Sequence, residues 1–269
     1  MVFHIASLIG KRESNEDEEL CIENINNINN TNNINIYGIF DGHGGNEVST
    51  YLKKNIPKYF FNKSIDYNNL NKLRKYIKLV YGHCQKKLEE KLKQKSYQVG
   101  STALIIILFK NFLYTINLGD CRAIICVKDN FPLQISKDHK PNAYDEKIRI
   151  EKLGGSIYFD GHDWRIKDLS VSRSFGDVDS KPYLSHIPDM FKYTLNNQSK
   201  FIVLGCDGLW DVLSNQDVND FILNEVNINK NIINQSQNNN NNIAYKLAKY
   251  AIEKGSTDNV SVIIKFLKL

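Results

Sequence analysis

Three aspartates, Asp41, Asp120 and Asp207, follow directly on apolar, strand-like runs, and Asp258 stands just before another. Each is flanked by glycine or another small turn residue: Asp41-Gly42-His43-Gly44-Gly45, Leu118-Gly119-Asp120, Cys206-Asp207-Gly208 and Gly255-Ser256-Thr257-Asp258-Asn259. Strand ends of a rigid sheet hold side chains firmly and leave them reachable. Acids gathered at one sheet edge repel one another unless cations neutralise them. Their hard oxygen atoms suit Mg²⁺ or Mn²⁺. A single aspartate of this kind reads as a turn-former or helix cap. Four such strand ends in one chain weaken that reading, although spacing alone leaves open whether they converge.

The elements that must position these acids are legible as apolar patterns. Strands are predicted at 19–23, 36–40, 102–109, 113–118, 122–127, 201–206 and 260–266. The runs at 102–109, 113–118 and 122–127 have short links, which predicts an antiparallel meander. Helices are predicted at 46–58, at 141–153 between Pro141 and Gly154-Gly155, and at 243–254. Leu70, Leu73, Ile77, Val80, Cys84, Leu88 and Leu92 recur at spacings of three and four and mark one long helix. Ser214 with Asp217 reads as a capping-box variant opening another. Helices and antiparallel strands are interspersed without a strand-helix-strand rhythm. The expected class is therefore α+β, with helices packed on antiparallel sheets. No linker or repeat is visible, so residues 1–269 read as one domain. Much of the asparagine, 34 residues in all, lies in tracts near 24–35 and 235–242. Both tracts read as expanded surface loops.

Composition narrows the field. With 269 residues, 42% hydrophobic and 24% charged, the chain has the make-up of an ordinary globular protein. The longest unbroken apolar run, 103–109, is far short of the roughly 20 residues a membrane span needs. The start Met1-Val2-Phe3-His4-Ile5 lacks a basic leader with a long apolar stretch, so no secretory signal is expected. Val2 is not the glycine that N-myristoylation requires. The five cysteines include no C-x-x-C pair and read as reduced core thiols of a cytoplasmic protein, with a nuclear location left open. None is followed six positions later by arginine, which disfavours thiol-based phosphatase chemistry. The net charge of +5 falls short of the clustered basic footprint of a nucleic-acid binder. A monomer with neither nucleic acid nor membrane as partner is expected.

Nine blocks, in order, resemble the metal-dependent protein serine/threonine phosphatases of type 2C, the PPM family. They are Gly10-Lys11-Arg12 with Glu16-Asp17; Phe40-Asp41-Gly42-His43-Gly44-Gly45; Gly100-Ser101-Thr102-Ala103; and Asn117-Leu118-Gly119-Asp120-Cys121-Arg122. Next come Asp138-His139-Lys140-Pro141 with Glu146 and Arg149-Ile150; Leu153-Gly154-Gly155; and Val171-Ser172-Arg173-Ser174-Phe175-Gly176-Asp177. The last two are Cys206-Asp207-Gly208-Leu209-Trp210-Asp211 and Gly255-Ser256-Thr257-Asp258-Asn259-Val260.

The resemblance implies a four-layer α-β-β-α sandwich of two antiparallel sheets flanked by helices, with two Mg²⁺ or Mn²⁺ ions at one end. It implies hydrolysis of phosphoserine and phosphothreonine on proteins by metal-activated water, without a covalent intermediate. Asp41 would bridge the two ions, with Gly42 offering its carbonyl. Glu16 would support one ion, with Asp17 acting through water or its neighbours, and Asp207 and Asp258 would complete the other. Asp120 would reach a weaker third ion shared with Asp207; Asp211 is a candidate there or a helix-start residue. Asn259 would orient Asp258. Arg12 would hold the phosphate, and His43 would protonate the leaving oxygen. Ser101 and Thr102 read as packing residues, not nucleophiles. Asp168 stands where the family usually has glycine and is expected to touch only a structural strand. Residues 177–188 form a short substrate-side flap to which no recognition role is assigned. The alternatives are an inactive scaffold of the same fold and a metal-dependent nuclease.

Overall fold

The computed structural model describes residues 3–25, 34–61, 65–229, 233 and 239–267. The first part of the chain forms β1 (Phe3–Leu8), β2 (Glu18–Ile25), β3 (Ile34–Phe40), β4 (Gly42–His43), α1 (Glu47–Asn55), α2 (Pro57–Phe60) and α3 (Leu70–Leu92). The middle forms β5 (Gly100–Ser101), β6 (Ala103–Phe109), β7 (Phe112–Leu118), β8 (Arg122–Cys126), β9 (Pro132–Gln134) and α4 (Tyr144–Lys152). Then come β10 (Tyr158–Phe159), β11 (Trp164–Arg165), β12 (Phe175–Gly176), β13 (Asp189–Thr194) and β14 (Phe201–Gly205). Helices α5 (Asp207–Trp210), α6 (Asn215–Ile228) and α7 (Ile243–Glu253) precede the last strand, β15 (Val260–Phe266).

Two five-stranded antiparallel sheets carry the fold, with strand orders β1-β15-β14-β8-β9 and β13-β7-β6-β3-β2. Successive residues of a strand point to opposite faces, and here both faces of each sheet are covered. On β6, Leu104 and Ile106 join the core between the sheets, where they meet Ile125, Ile202 and Ile263. Their neighbours Ile105 and Ile107 face the other way, onto Val48 and Leu52 of α1 and Ile77 and Leu88 of α3. On the second sheet, Val203, Val262 and Ile264 pack against Val218 and Ile222 of α6 and Leu247 of α7. Three cores therefore separate four layers, as expected. This double coverage explains why 103–109 is apolar at every position rather than at alternate ones.

Local signals worked as read in several places. The α3 stripe buries Leu73, Ile77, Val80, Cys84 and Leu88, and Asn69 caps its start by accepting from the Lys72 N–H. Ser214 and Asp217 form a reciprocal capping box. The helix expected at 46–58 is split, because Pro57 lacks the N–H that a continuous helix would use and instead starts α2. Helix α4 starts at Tyr144, later than Pro141, since residues 141–143 form a turn closed by the Ala143 N–H on the Lys140 carbonyl, 3.1 Å. β1, β9, β13 and the two-residue strands carry no apolar run of the kind that marks the other strands.

The asparagine tracts separate β2 from β3, which pair as an antiparallel hairpin, and α6 from α7. Residues 26–33 and 234–238 lie outside the described residues. The tract ends do structural work: Asn35 is buried within β3, and Asn242 caps α7 by accepting from the Tyr245 N–H.

The meander expected over 102–127 is corrected. β6 and β7 form a hairpin in one sheet, whereas β8 belongs to the other. The crossing is made at Gly119, whose φ of +104° favours glycine, and a Cβ there would stand 2.5 Å from Thr102 Cγ2. The buried Asn117 side chain holds the crossing by donating to the carbonyls of Gly119 and Cys121, each at 3.1 Å, and of Lys137 at 2.8 Å. Asp120 is thereby carried across the sandwich end instead of around a hairpin tip.

Candidate metal centre

Where β3 and β14 end and β15 begins, a cleft of about 710 Å³ opens, lined among others by Arg12, Glu16, Asp41, His43, Asp120 and Asp207. Asp41 is pinned at its backbone: its N–H donates to Thr102 Oγ1 at 3.1 Å and its carbonyl accepts from the Thr102 N–H at 2.8 Å. Carboxylate oxygens of Asp41, Asp120 and Asp207 lie within 4.8 Å of one another. Asp17, Asp41 and the Cys206 thiol form a second group at the same spacing.

Burial, followed by repulsion from Asp207, Asp17 and Asp120, pushes the Asp41 carboxyl well above its ordinary range. Asp207 is pushed up by burial and by Asp120, against the pull of Lys140. Burial raises Asp17 to about 7 despite hydrogen bonds from Ser261 and Cys206. Asp17 is 8% exposed, and its Oδ2 has no hydrogen-bond partner among the described residues. Crowded, poorly neutralised carboxylates and an orphaned buried oxygen form a hard donor set, which fits Mg²⁺ or Mn²⁺.

The remaining predicted residues surround this group. Glu16 lines the cleft outside both close groups, and its Oε2 accepts from the Gly45 N–H at 3.1 Å. Gly42 cannot carry a side chain, because a Cβ would stand 2.4 Å from the Glu16 carbonyl oxygen. Asp258 also lies outside the close groups, and Arg12 Nη2 donates to its Oδ2 at 2.7 Å. The Arg12 side chain is 59% exposed, so the guanidinium can reach a ligand in the cleft.

Asn259 orients Asp258 through its backbone only, the Asn259 N–H donating to Asp258 Oδ1 at 2.7 Å. Its side chain ties down residues 9–16: it donates to the carbonyls of Ile9 and Ser14, each at 2.9 Å, and accepts from the Glu16 N–H at 2.9 Å. Asp211 lines the cleft from the C-terminal end of α5, not from a helix start. Burial raises its carboxyl and Lys140 opposes the rise.

Two further side chains within the sequence blocks, outside the expected site residues, bear on the site. Asp177 Oδ2 lies 2.8 Å from His43 Nε2. Burial works against a charged His43, yet the buried Asp177 carboxylate outweighs it and the imidazole pKa is raised. Lys140 Nζ stands 2.6 Å from Asp120 Oδ2. Desolvation works against its charge, but Asp120, Asp207 and Asp211 raise its pKa. Asp168 is corrected: it sits in a turn on the cleft wall, not on a strand. Asp163, Arg165, Leu169, Ser170 and Val171 share that wall. Residues 178–188 do not reach the cleft; Lys181 pairs with Glu89 of α3 and the Tyr183 carbonyl accepts from Arg149.

Behind the cleft lies a buried chain of charges. Glu146 of α4 accepts from Arg173 Nε at 3.0 Å and from Arg149 Nη2 at 2.8 Å. Arg173 Nη1 reaches Asp189 at 3.1 Å, Asp189 lies 3.2 Å from His139 Nε2, and His139 Nδ1 accepts from the Gly119 N–H at 3.1 Å. This chain of contacts braces the turn that carries Asp120.

The protein phosphatase 2C family model matches residues 2–260. A PP2C-like domain-containing protein of Acanthamoeba polyphaga mimivirus is 46% identical over 168 residues, 57% of this chain and 93% of that one. A probable protein phosphatase 2C of Arabidopsis thaliana is 34% identical over 98% of this chain, which spans 55% of that relative's length. Among solved structures, a sex-determining protein of C. elegans superposes over 99% of this chain and 64% of that one, with TM-score 0.86 and 25% identity. Serine-threonine phosphatase 2C of Toxoplasma gondii superposes over 99% of this chain and 94% of that one, with TM-score 0.78 and 23% identity, and supports the fold. With its motif blocks in order, its four layers and its acidic cleft, this chain belongs to the protein phosphatase 2C family.

Proposed function

We propose that the cleft hydrolyses phosphoserine and phosphothreonine on proteins as a metal-dependent phosphatase. The observation that carries this reading is the convergence of Asp41, Asp120 and Asp207 from separate strand ends to within 4.8 Å. Asp41, Asp120 and Asp207, with Asp17, the Gly42 carbonyl, Glu16 and Asp258 around them, would hold Mg²⁺ or Mn²⁺ ions here, with Asp41 central and Asp120 at a weaker third position. Such ions would supply Lewis-acid activation of water.

The chain's own groups then handle the phosphate and the proton. Arg12 leaves or shares Asp258 to grip the phosphate oxygens with its planar fork. His43 gives a proton to the departing serine or threonine oxygen. Its Nε2 is engaged by Asp177, so Nδ1 is the nitrogen that delivers the proton. Asp177 keeps the ring charged and aimed.

Phosphorylated proteins are the substrates. The five cysteines are free, which fits a reducing compartment such as the cytosol. No helix among the described residues is long and apolar enough to cross a membrane. The scaffold alternative calls for loss of metal aspartates, and Asp41, Asp120, Asp207 and Asp258 are all present.

The test is hydrolysis of a phosphothreonine peptide by Mn²⁺-loaded protein, abolished by a chelator and by Asp41→Ala. An intact peptide after incubation with loaded protein would sink the enzyme reading and leave the scaffold.

A further inference from the structure

We propose that Lys140 is a resident counter-cation for Asp120, and that it sets the affinity of the third metal position by competing for it. This rests on reading the cleft as a metal centre. Asp120 is 2% exposed, and its only charged neighbour within ion-pair reach among the described residues is the Lys140 ammonium, 2.6 Å from Oδ2. Neither Oδ1 nor Oδ2 of Asp120 has a hydrogen-bond partner among the described residues, so the close approach of the ammonium to Oδ2 is an ion pair and Oδ1 is left unpartnered in the cleft wall. Lysine is charged at neutral pH, so one of the three converging carboxylates already has a cation of the protein's own, while no Lys or Arg lies within ion-pair distance of Asp41 or Asp207 among the described residues.

Lys140 is not a loose surface chain that happens to point inward. Its side chain is 26% exposed, and its backbone belongs to the segment that braces Asp120. The neighbouring His139 N–H donates to the Gly119 carbonyl at 3.0 Å, and the His139 carbonyl accepts from the Ser172 N–H at 2.9 Å. The Lys140 carbonyl closes the following turn. Ammonium and carboxylate are therefore anchored to one rigid unit. A dication arriving at Asp120 must first push a like charge aside. Lys140 acts on Asp207 only at longer range, and no Lys or Arg stands within ion-pair distance of Asp41 or Asp207 among the described residues, so the direct barrier lies at Asp120.

The experiment is a Mn²⁺ titration of the full chain followed by calorimetry and by the electron paramagnetic resonance of free Mn²⁺. Wild type, Lys140→Met and Lys140→Arg are compared. Removing the charge is expected to tighten the third ion about tenfold or more, while the first two ions change little. Lys140→Arg keeps the charge and is expected to keep the weak third site. Thermal melts establish that each variant folds, and Lys140→Gln replaces the Met variant should that fail. A third-ion affinity that is unchanged or weaker in the neutral variants, with the first two ions bound, overturns the role of Lys140 alone. Absence of Mn²⁺ uptake by wild type overturns the metal-centre reading and this proposal with it. Phosphopeptide hydrolysis measured on the same samples tells the two failures apart.

Discussion

The molecule holds two clusters of buried and half-buried acids, and they are opposites. In the cleft, Asp17, Asp41 and Asp207 are pushed up by burial and by neighbouring carboxylates, and Lys140 opposes the rise at Asp207. Around Glu146, burial also works to raise the carboxyl, but Arg173, Arg149 and Ser172 outweigh it and hold it at about 2. Asp189, with His139 and Arg173 as partners, is likewise held low. Carboxylates are left strained in one place and satisfied in the other. Burial alone therefore does not mark a site; burial without a partner does. The satisfied cluster is the brace that keeps the unsatisfied one in position.

Four measurements would break or sharpen this contrast. The largest effect is expected from Asp41→Asn, which should lower phosphopeptide hydrolysis about a thousandfold or more, since several kcal/mol of transition-state stabilisation depends on the metals. In chelator, the same variant should melt no lower than wild type, because a repelling charge has been removed. A lower melting temperature there would mean that Asp41 is satisfied after all.

Glu146→Gln should do the reverse. It leaves Arg173 without its buried partner and should cost about 3 kcal/mol or more in denaturant unfolding, with or without metal. A loss below about 1 kcal/mol would show that the brace is dispensable.

Acid and base should act on the two clusters in opposite directions. Glu146 has a folded pKa near 2, below its ordinary 4.5. It contributes about 3 kcal/mol of stability above pH 4.5, lost as pH falls through 2. Asp17 has a folded value near 7, above its ordinary 3.8. In metal-free protein its contribution favours folding below that ordinary value and disappears as pH rises through 7. Stability curves with and without chelator should differ on the alkaline side only. A chelator effect confined to the acid side would contradict the assignment.

The smallest effect is expected from Asp177→Asn. It should slow phosphopeptide hydrolysis about tenfold, part of the roughly hundredfold to ten-thousandfold that a general acid contributes, and slow an activated aryl phosphate less, because a good leaving group needs no proton. Equal losses on both substrates would remove Asp177 and His43 from proton delivery.

Much of this was legible along the chain, and the reasons are local. Apolar runs mark strands, a stripe at three and four marks α3, and Ser214 with Asp217 marks a helix start. Each depends on residues within a turn or two of one another. The clearest misreading is one that a distant partner decides. The run at 122–127 looks like the third strand of a meander, yet pairing with Phe201–Gly205 takes it into the other sheet. Asp211 reads equally as a third-ion ligand or a helix start; it stands at the end of α5 and lines the cleft. Asp168 reads as a departure that touches only a structural strand, and the turn around it places it on the cleft wall.

By itself, the sequence determined which acids stand at strand ends, that glycines free the backbone beside them, and that helices must cover antiparallel sheets. These follow from side-chain period and turn chemistry, which act over a few residues. Only the tertiary structure decided which acids converge and what each one touches. His43 meets Asp177 across 134 positions and Arg12 meets Asp258 across 246, and Asp120 reaches both its neighbours and Lys140 because Gly119 lets the chain change sheets. Such contacts depend on how two sheets stack and cross. No local propensity encodes that, because the energy that selects it resides in the shared core between the layers.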